Sequence, residues 1–174
     1  MQILDYNRVV KDMNQMSSQD FMARLRETFA DISLCPDQAN VRPKERGLTS
    51  LLIDGQWYDC RIKDEAVEKS VRENGGQRAV GALDVQVLND RVFRDILGIE
   101  NVRTSPKVDF VGGSRGLEGL VRRCSEDSLA AFAMHPVSID QLLDVADAGL
   151  NMPPKSTWFE PKPRSGFVVR VFDE

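Results

Sequence analysis

The sequence holds a single histidine, His135, among its 174 residues. Catalytic triads with a histidine base and metal centres built from several histidines therefore have little to draw on. The three cysteines, Cys35, Cys60 and Cys124, are odd in number and far apart, with no Cys-x-x-Cys pair. That spacing argues against a structural zinc site, and the thiols read as reduced, mostly buried groups of a cytoplasmic protein. No apolar run approaches the ~20 residues that span a bilayer. The opening MQILDYNRVV lacks the basic start and continuous apolar core of a secretory signal. A basic excess is missing as well. A net charge of -4 argues against bulk nucleic-acid binding, which needs cations to neutralise phosphates.

What is present is an ordinary globular mixture, 41% hydrophobic and 29% charged, enough for one domain over 1–174 or two packed sub-lobes, 1–82 and 83–174. Residues 1–10 alternate like a strand, with Ile3, Tyr6 and Val9-Val10 apolar. A chain that starts inside regular structure reads as a piece of a longer protein. Ser17 or Ser18 caps a helix whose face is Phe21, Met22, Leu25 and Phe29, and a short strand follows near Ile32–Leu34. Leu48–Ile53 and Trp57–Ile62 flank Asp54-Gly55-Gln56, and the Asp-Gly pair predicts a hairpin. Residues 63–81 are charged, contain Gly75-Gly76, and read as a loop or frayed helix. Asp84 caps a helix through Leu97, closed by Gly98. Val108–Val111 is a strand, 117–124 a helix and Leu129–Met134 an apolar strand. Ser138 caps a helix with Ile139, Leu142, Leu143 and Ala146 inward, and Phe167–Phe172 is the last strand. The expected class is α/β (α+β): a mixed sheet with an early antiparallel hairpin part and packed helices.

Two stretches could carry chemistry. In VDFVGGSRGLEG a strand runs into Gly112, Gly113, Ser114, Arg115 and Gly116 and then a helix. Exposed amides, the positive helix end and Arg115 can hold a phosphate or carboxylate. The glycines match neither the GxGxxG nor the P-loop spacing, and a plain tight turn is the simpler account of them. In MPPKSTWFEPKPRSG, residues 152–166, four prolines stiffen an irregular backbone that presents Lys155, Ser156, Thr157, Lys162 and Arg164 around Trp158-Phe159. Either this segment grips an anion or it clasps the last strand. A third stretch, Asp5-Tyr6-Asn7-Arg8, sets Tyr6 and Arg8 on one strand face and Asn7 on the other, with Arg8 expected in an ion pair. His135 ends a buried strand and reads as structural. No spacing among the 27 carboxylates singles out an acid/base pair.

The run PVSIDQLLDVADAGLNMPPKSTWFEPKPRSGFVVR (136–170), with LDYNRVVKD (4–12) and LDVQVLNDRVFRDILGI (83–99), resembles a bacterial and archaeal family defined as domain of unknown function 1015. The resemblance implies the C-terminal half of a protein about twice this length. Its N-terminal half would carry an Ala-Asp-Gly-His-His-Arg-type motif similar to one in ParB-like domains, some of which act as small-molecule kinases, serine kinases among them. Where this chain reads Tyr6-Asn7-Arg8, other members often have a histidine before the arginine. The resemblance thus implies at most a phosphate-handling protein whose catalytic motif lies outside this chain, which alone would be inactive, and it leaves cofactor and substrate open. The partner it implies is the N-terminal half; an anionic small molecule and a second copy of the chain are further candidates. The alternative is a non-catalytic structural or partner-docking domain.

Overall fold

A computed structural model describes residues 1–39 and 41–162. In chain order it contains β1 (Gln2–Leu4), β2 (Tyr6–Val10), α1 (Ser18–Leu25), β3 (Phe29–Leu34), β4 (Leu48–Ile53) and β5 (Gln56–Ile62). Next come α2 (Asp64–Glu73), α3 (Arg78–Gly81), α4 (Asp84–Leu88) and a π-helical turn over Asn89–Arg94. The remainder is β6 (Val108–Gly112), a 3-10 turn at Gly113–Arg115, α5 (Gly116–Glu126), β7 (Ala130–Ala133), α6 (Ile139–Asp147) and β8 (Trp158–Glu160). The expected strand at Phe167–Phe172 lies outside the described residues.

Six strands form one sheet in the order β3-β5-β4-β7-β2-β6, and β1 pairs with β8 in a separate ribbon. The class is α+β, as expected. Every pairing among the described strands is antiparallel. The strand–helix–strand unit read from 108–134 does form, as β6-α5-β7. β2 inserts between its two strands and pairs antiparallel with both, so no parallel ladder results.

Period-2 alternation gives the sheet two apolar faces. Val10, Leu51, Ile53, Cys60 and Phe132 face a layer made by α1, α2, α4, the π-helical turn and α6. Val9, Leu52, Trp57, Ala131 and Ala133 face Leu120 of α5 and Val41. The hairpin is as predicted: Asp54 and Gly55 take φ of 50° and 73°, the left-handed pair that a two-residue turn needs. Ser17 and Ser138 each complete a capping box, with Asp20 and Gln141 as their partners. No helix among the described residues is long and apolar enough to cross a membrane.

Four local expectations need settling or correcting. Of the two readings of 63–81, loop or frayed helix, the structure has helix, α2 over Asp64–Glu73 and α3 over Arg78–Gly81. Ala66, Ser70 and Val71 make a narrow inner face, acidic residues open the helix and Arg72 closes it. Phe29 begins β3 and does not extend the α1 face, although it is buried. The helical segment from Asp84 widens at Asn89–Arg94, and its N-cap is Leu83, not Asp84. In α6 the inward residue is Val145, 1% exposed, while Ile139 and Leu143 are 53% and 52% exposed.

Asp84 has a different task. Its carboxylate accepts the Gly47 amide at 2.8 Å, fixing the start of β4 to α4. Burial pushes this carboxyl above its usual range, against the Gly47 hydrogen bond and the charges of Arg46 and His135. The folded state therefore holds the proton more tightly than the unfolded chain, whose carboxyl titrates near ~3.9. The resulting contribution is fully present below that value and lost as pH rises through the folded one. Asp84→Asn keeps an acceptor for Gly47 and removes the titration. Its melting temperature is expected to exceed the parent's at neutral pH, with the gap closing toward pH 4. A gap that widens on acidification would refute this.

Candidate functional site

β6 and β7 end, and β2 begins, at the same end of the sheet, because Tyr6 stands opposite Gly112 and Arg8 opposite Phe132. Beyond β6 the chain turns through Gly113–Arg115 and enters α5 at Gly116. The N-cap residue of α5, Arg115, makes no side-chain cap. The first-turn amides of an eleven-residue helix thus lack the usual side-chain acceptor. They border a cleft of about 270 Å³, whose wall includes Gly113, Gly116, Leu117, Met134 and Pro136. Two opposite charges, Asp5 and Arg42, also line it. Neither forms an ion pair among the described residues.

The turn approaches Asp5 closely. The Gly113 amide donates to the Asp5 carbonyl at 2.9 Å, and a Cβ on Gly113 would stand 2.4 Å from Asp5 Oδ1. Only glycine permits that contact. Asn7, fully buried, accepts the Met134 amide on Oδ1 at 2.9 Å and donates from Nδ2 to the Asp5 carboxylate. Asn7 and Arg8 point to opposite sheet faces, as the alternation predicted.

The predicted site residues divide between the two faces. Gly113 and Gly116 line the cleft. Gly112 packs beneath Trp158, whose ring atoms would lie 2.4–2.8 Å from a Cβ there. Ser114 and Arg115 are exposed on the turn, and neither lines the cleft. Lys155 is exposed, with its ammonium 5.6 Å from the Tyr6 ring centre and 5.9 Å from that of Phe110. Ser156 is buried and donates to the Pro153 carbonyl at 2.6 Å. Thr157, half-buried, leads into β8, and Lys162 stands 4.6 Å over the Trp158 ring. Arg164 lies outside the described residues. The two stretches therefore meet through Gly112 and Trp158, and neither Lys155 nor Arg115 lines the cleft.

Arg8 corrects the expectation of an ion pair. It is fully buried, and its guanidinium donates to the Tyr6 carbonyl and, at 3.1 Å, to the Lys155 carbonyl. Its Cζ lies 5.7 Å from the Phe110 ring centre, and Nε has no hydrogen-bond partner among the described residues. Burial lowers its pKa to about 10, so it stays charged at neutral pH.

A groove of about 420 Å³ shares Arg42 with the cleft and is also lined by Asp31, Lys44, Asp59 and Arg61. Of these, Asp59 and Arg61 are engaged by Ser50 and Glu45 respectively. Asp90 is met by Ser70, Asn74, Gln86 and Arg94, tying α2 to the π-helical turn. Burial pushes the Cys35 and Cys124 thiols up to about 12 and about 11, which suppresses the nucleophilic thiolate. Among the described residues no group of three His, Cys, Asp or Glu could hold a metal ion. Sequence reasoning missed Arg42, which sat in an unremarkable polar loop, and it weighed Asp5 only as part of a strand.

The family model described as "Protein of unknown function (DUF1015)" matches residues 1–86. The resemblance to that family is thereby supported in the N-terminal part of this chain. The run 136–170, which looked most specific, lies outside the matched residues, so the match does not place this chain as the C-terminal half of such a protein. No curated protein matches the chain. Among solved structures, a free serine kinase mutant in complex with ADP is similar at 10% identity and a TM-score of 0.48, over 90% of this chain and 53% of that one. A second mutant of a free serine kinase, in complex with AMP, gives the same figures. The chain thus spans about half the length of the structures it resembles.

Proposed function

We propose that the cleft at the β6–α5 junction binds the anionic group, phosphate or carboxylate, of a small molecule. The observation that carries this is the meeting of the uncapped α5 N-terminus, Gly113, Gly116 and Arg42, which has no ion pair among the described residues, around one open cavity. Amides at a helix start supply directed donors and a positive partial charge, and a guanidinium adds two-pronged recognition of an oxyanion. Leu117, Met134 and Pro136 give the cavity an apolar wall suited to an organic remainder.

A second reading fits the other stretch. With its hydroxyl on Pro153, its carbonyl on Arg8 and its indole on Gly112, the 153–158 backbone serves as a clasp across the sheet end. Lys155, Ser156, Thr157 and Lys162 belong to that clasp, which corresponds to a structural or docking role.

Isothermal titration with ethyl phosphate separates the two. Arg42→Ala is expected to weaken binding at least about tenfold, as loss of a charge-assisted pair does. Lys155→Ala is expected to leave it nearly unchanged. Equal affinity of Arg42→Ala and the parent would end the anion reading of the cleft.

A further inference from the structure

An anion pocket that also contains a carboxylate is a contradiction unless the ligand has a second pole. Asp5 is that carboxylate. It lines the same cleft as Arg42, it has no cationic partner among the described residues, and it is not free to turn away. Its carbonyl is held by the Gly113 amide, and one carboxylate oxygen by Asn7.

Asn7 is itself locked. The Met134 amide can only donate, so the side-chain atom facing it must be the oxygen. The amide nitrogen is thereby directed at Asp5, and the buried side chain has no other orientation that satisfies both neighbours. A carboxylate that needed only to be solvated would not require a fully buried asparagine to aim it. The absence of a Cβ at Gly113 keeps the turn against Asp5, so the acidic and the anion-binding walls are built from one contact.

We propose that the cleft takes a bipolar small molecule. Its anionic end faces Arg42 and the α5 amides, its ammonium or other donor end is accepted by Asp5, and Asn7 positions that carboxylate. This rests on the anion reading of the cleft and adds the class of ligand. A purely anionic ligand would meet repulsion from Asp5, whereas a ligand with a donor at the far end converts the same group into a charge-assisted acceptor. Asp5 is then the specificity-determining residue and Asn7 the positioning one.

Two near-isosteric probes test it by calorimetry: ethyl phosphate, with one anionic pole, and 2-aminoethyl phosphate, which adds an ammonium. The parent protein is expected to prefer 2-aminoethyl phosphate by at least about tenfold, the size of a hydrogen bond between charged groups. Asp5→Asn keeps an acceptor for Asn7 but loses the charge. It is expected to erase the preference and to bind ethyl phosphate more tightly than the parent does. Asn7→Ser, with its fold checked by thermal melting, is expected to reduce the preference ratio, which a merely stabilising role would not move. If Asn7→Ser does not fold, Asp5→Asn decides alone. Equal binding of both probes by the parent, with both weakened in Arg42→Ala, would overturn the bipolar ligand and leave the anion cleft standing. Binding of neither probe would overturn both, and an unchanged preference in Asp5→Asn would overturn the role of Asp5.

Discussion

Arg8→Ala is expected to destabilise the fold by roughly 3–5 kcal/mol in urea denaturation, the range of large-to-small changes in a core. The side chain is fully buried, and Phe110 and Phe132 flank its position on the neighbouring strands. Truncation leaves a void there and withdraws the donors from the Tyr6 and Lys155 carbonyls. An opposing effect must be weighed. Among the described residues the guanidinium has no carboxylate partner, so its removal returns the cost of desolvating a charge. Arg8→Met separates the two, because methionine refills the volume, carries no charge and makes neither hydrogen bond. Its loss is expected to be smaller than that of the alanine variant by about 1–2 kcal/mol. Both variants should speed amide exchange around Ser156 and Thr157, since each cuts the tether to Lys155. An alanine variant as stable as the parent would show that the buried charge costs as much as its packing contributes. A methionine variant that falls as far as alanine would place the value of Arg8 in its hydrogen bonds instead.

The reasons Arg8 and the cleft were hard to foresee are the same. Local signals were readable where the physics is local. Asp54-Gly55 forces a two-residue turn, and Ser17 and Ser138 cap helices through residues three positions on. Segment 64–73 hid its helix because its inner face is only Ala66, Ser70 and Val71. What supports it is distant: Ser70 reaches Asp90, and Glu73 reaches Arg91 and Arg94. In α6 the sequence offers an apolar residue on nearly every side, so spacing alone could not choose Val145 over Ile139 or Leu143. The cleft depends on strand order. β7 must lie between β4 and β2 before Met134 meets Asn7, and β6 must pair with β2, Gly112 opposite Tyr6, before Gly113 meets Asp5. Cations on a proline-stiffened irregular backbone marked Lys155 and Lys162 as ligand-holders. In the fold their ammonium groups stand over Tyr6, Phe110 and Trp158, where the attraction is to the ring faces.

That distinction makes Gly112 the sharpest probe of the 152–162 segment. A Cβ there would stand 2.4 Å from Trp158 Cε3 and 2.6 Å from Cζ3. The indole has little freedom to retreat. The backbone of Trp158 pairs with Leu4, its Nε1 donates to Glu160 at 3.1 Å, and the Tyr6 ring meets it edge-on at 5.5 Å. Gly112→Ala is therefore expected to cost about 1–3 kcal/mol, the range for overfilling a packed site. Trp158→Leu alone loses the aromatic contacts and opens space above Gly112. In the double variant the methyl group enters that space, so the combined loss should fall short of the sum by at least about 0.5 kcal/mol. Strict additivity in the cycle would mean that ring and glycine do not press on one another. Ethyl phosphate affinity of the folded double variant bears on function: Gly112 and Trp158 lie outside the cleft lining, so a clasp predicts near-parental binding. A loss matching that of Arg42→Ala would instead return the segment to the ligand.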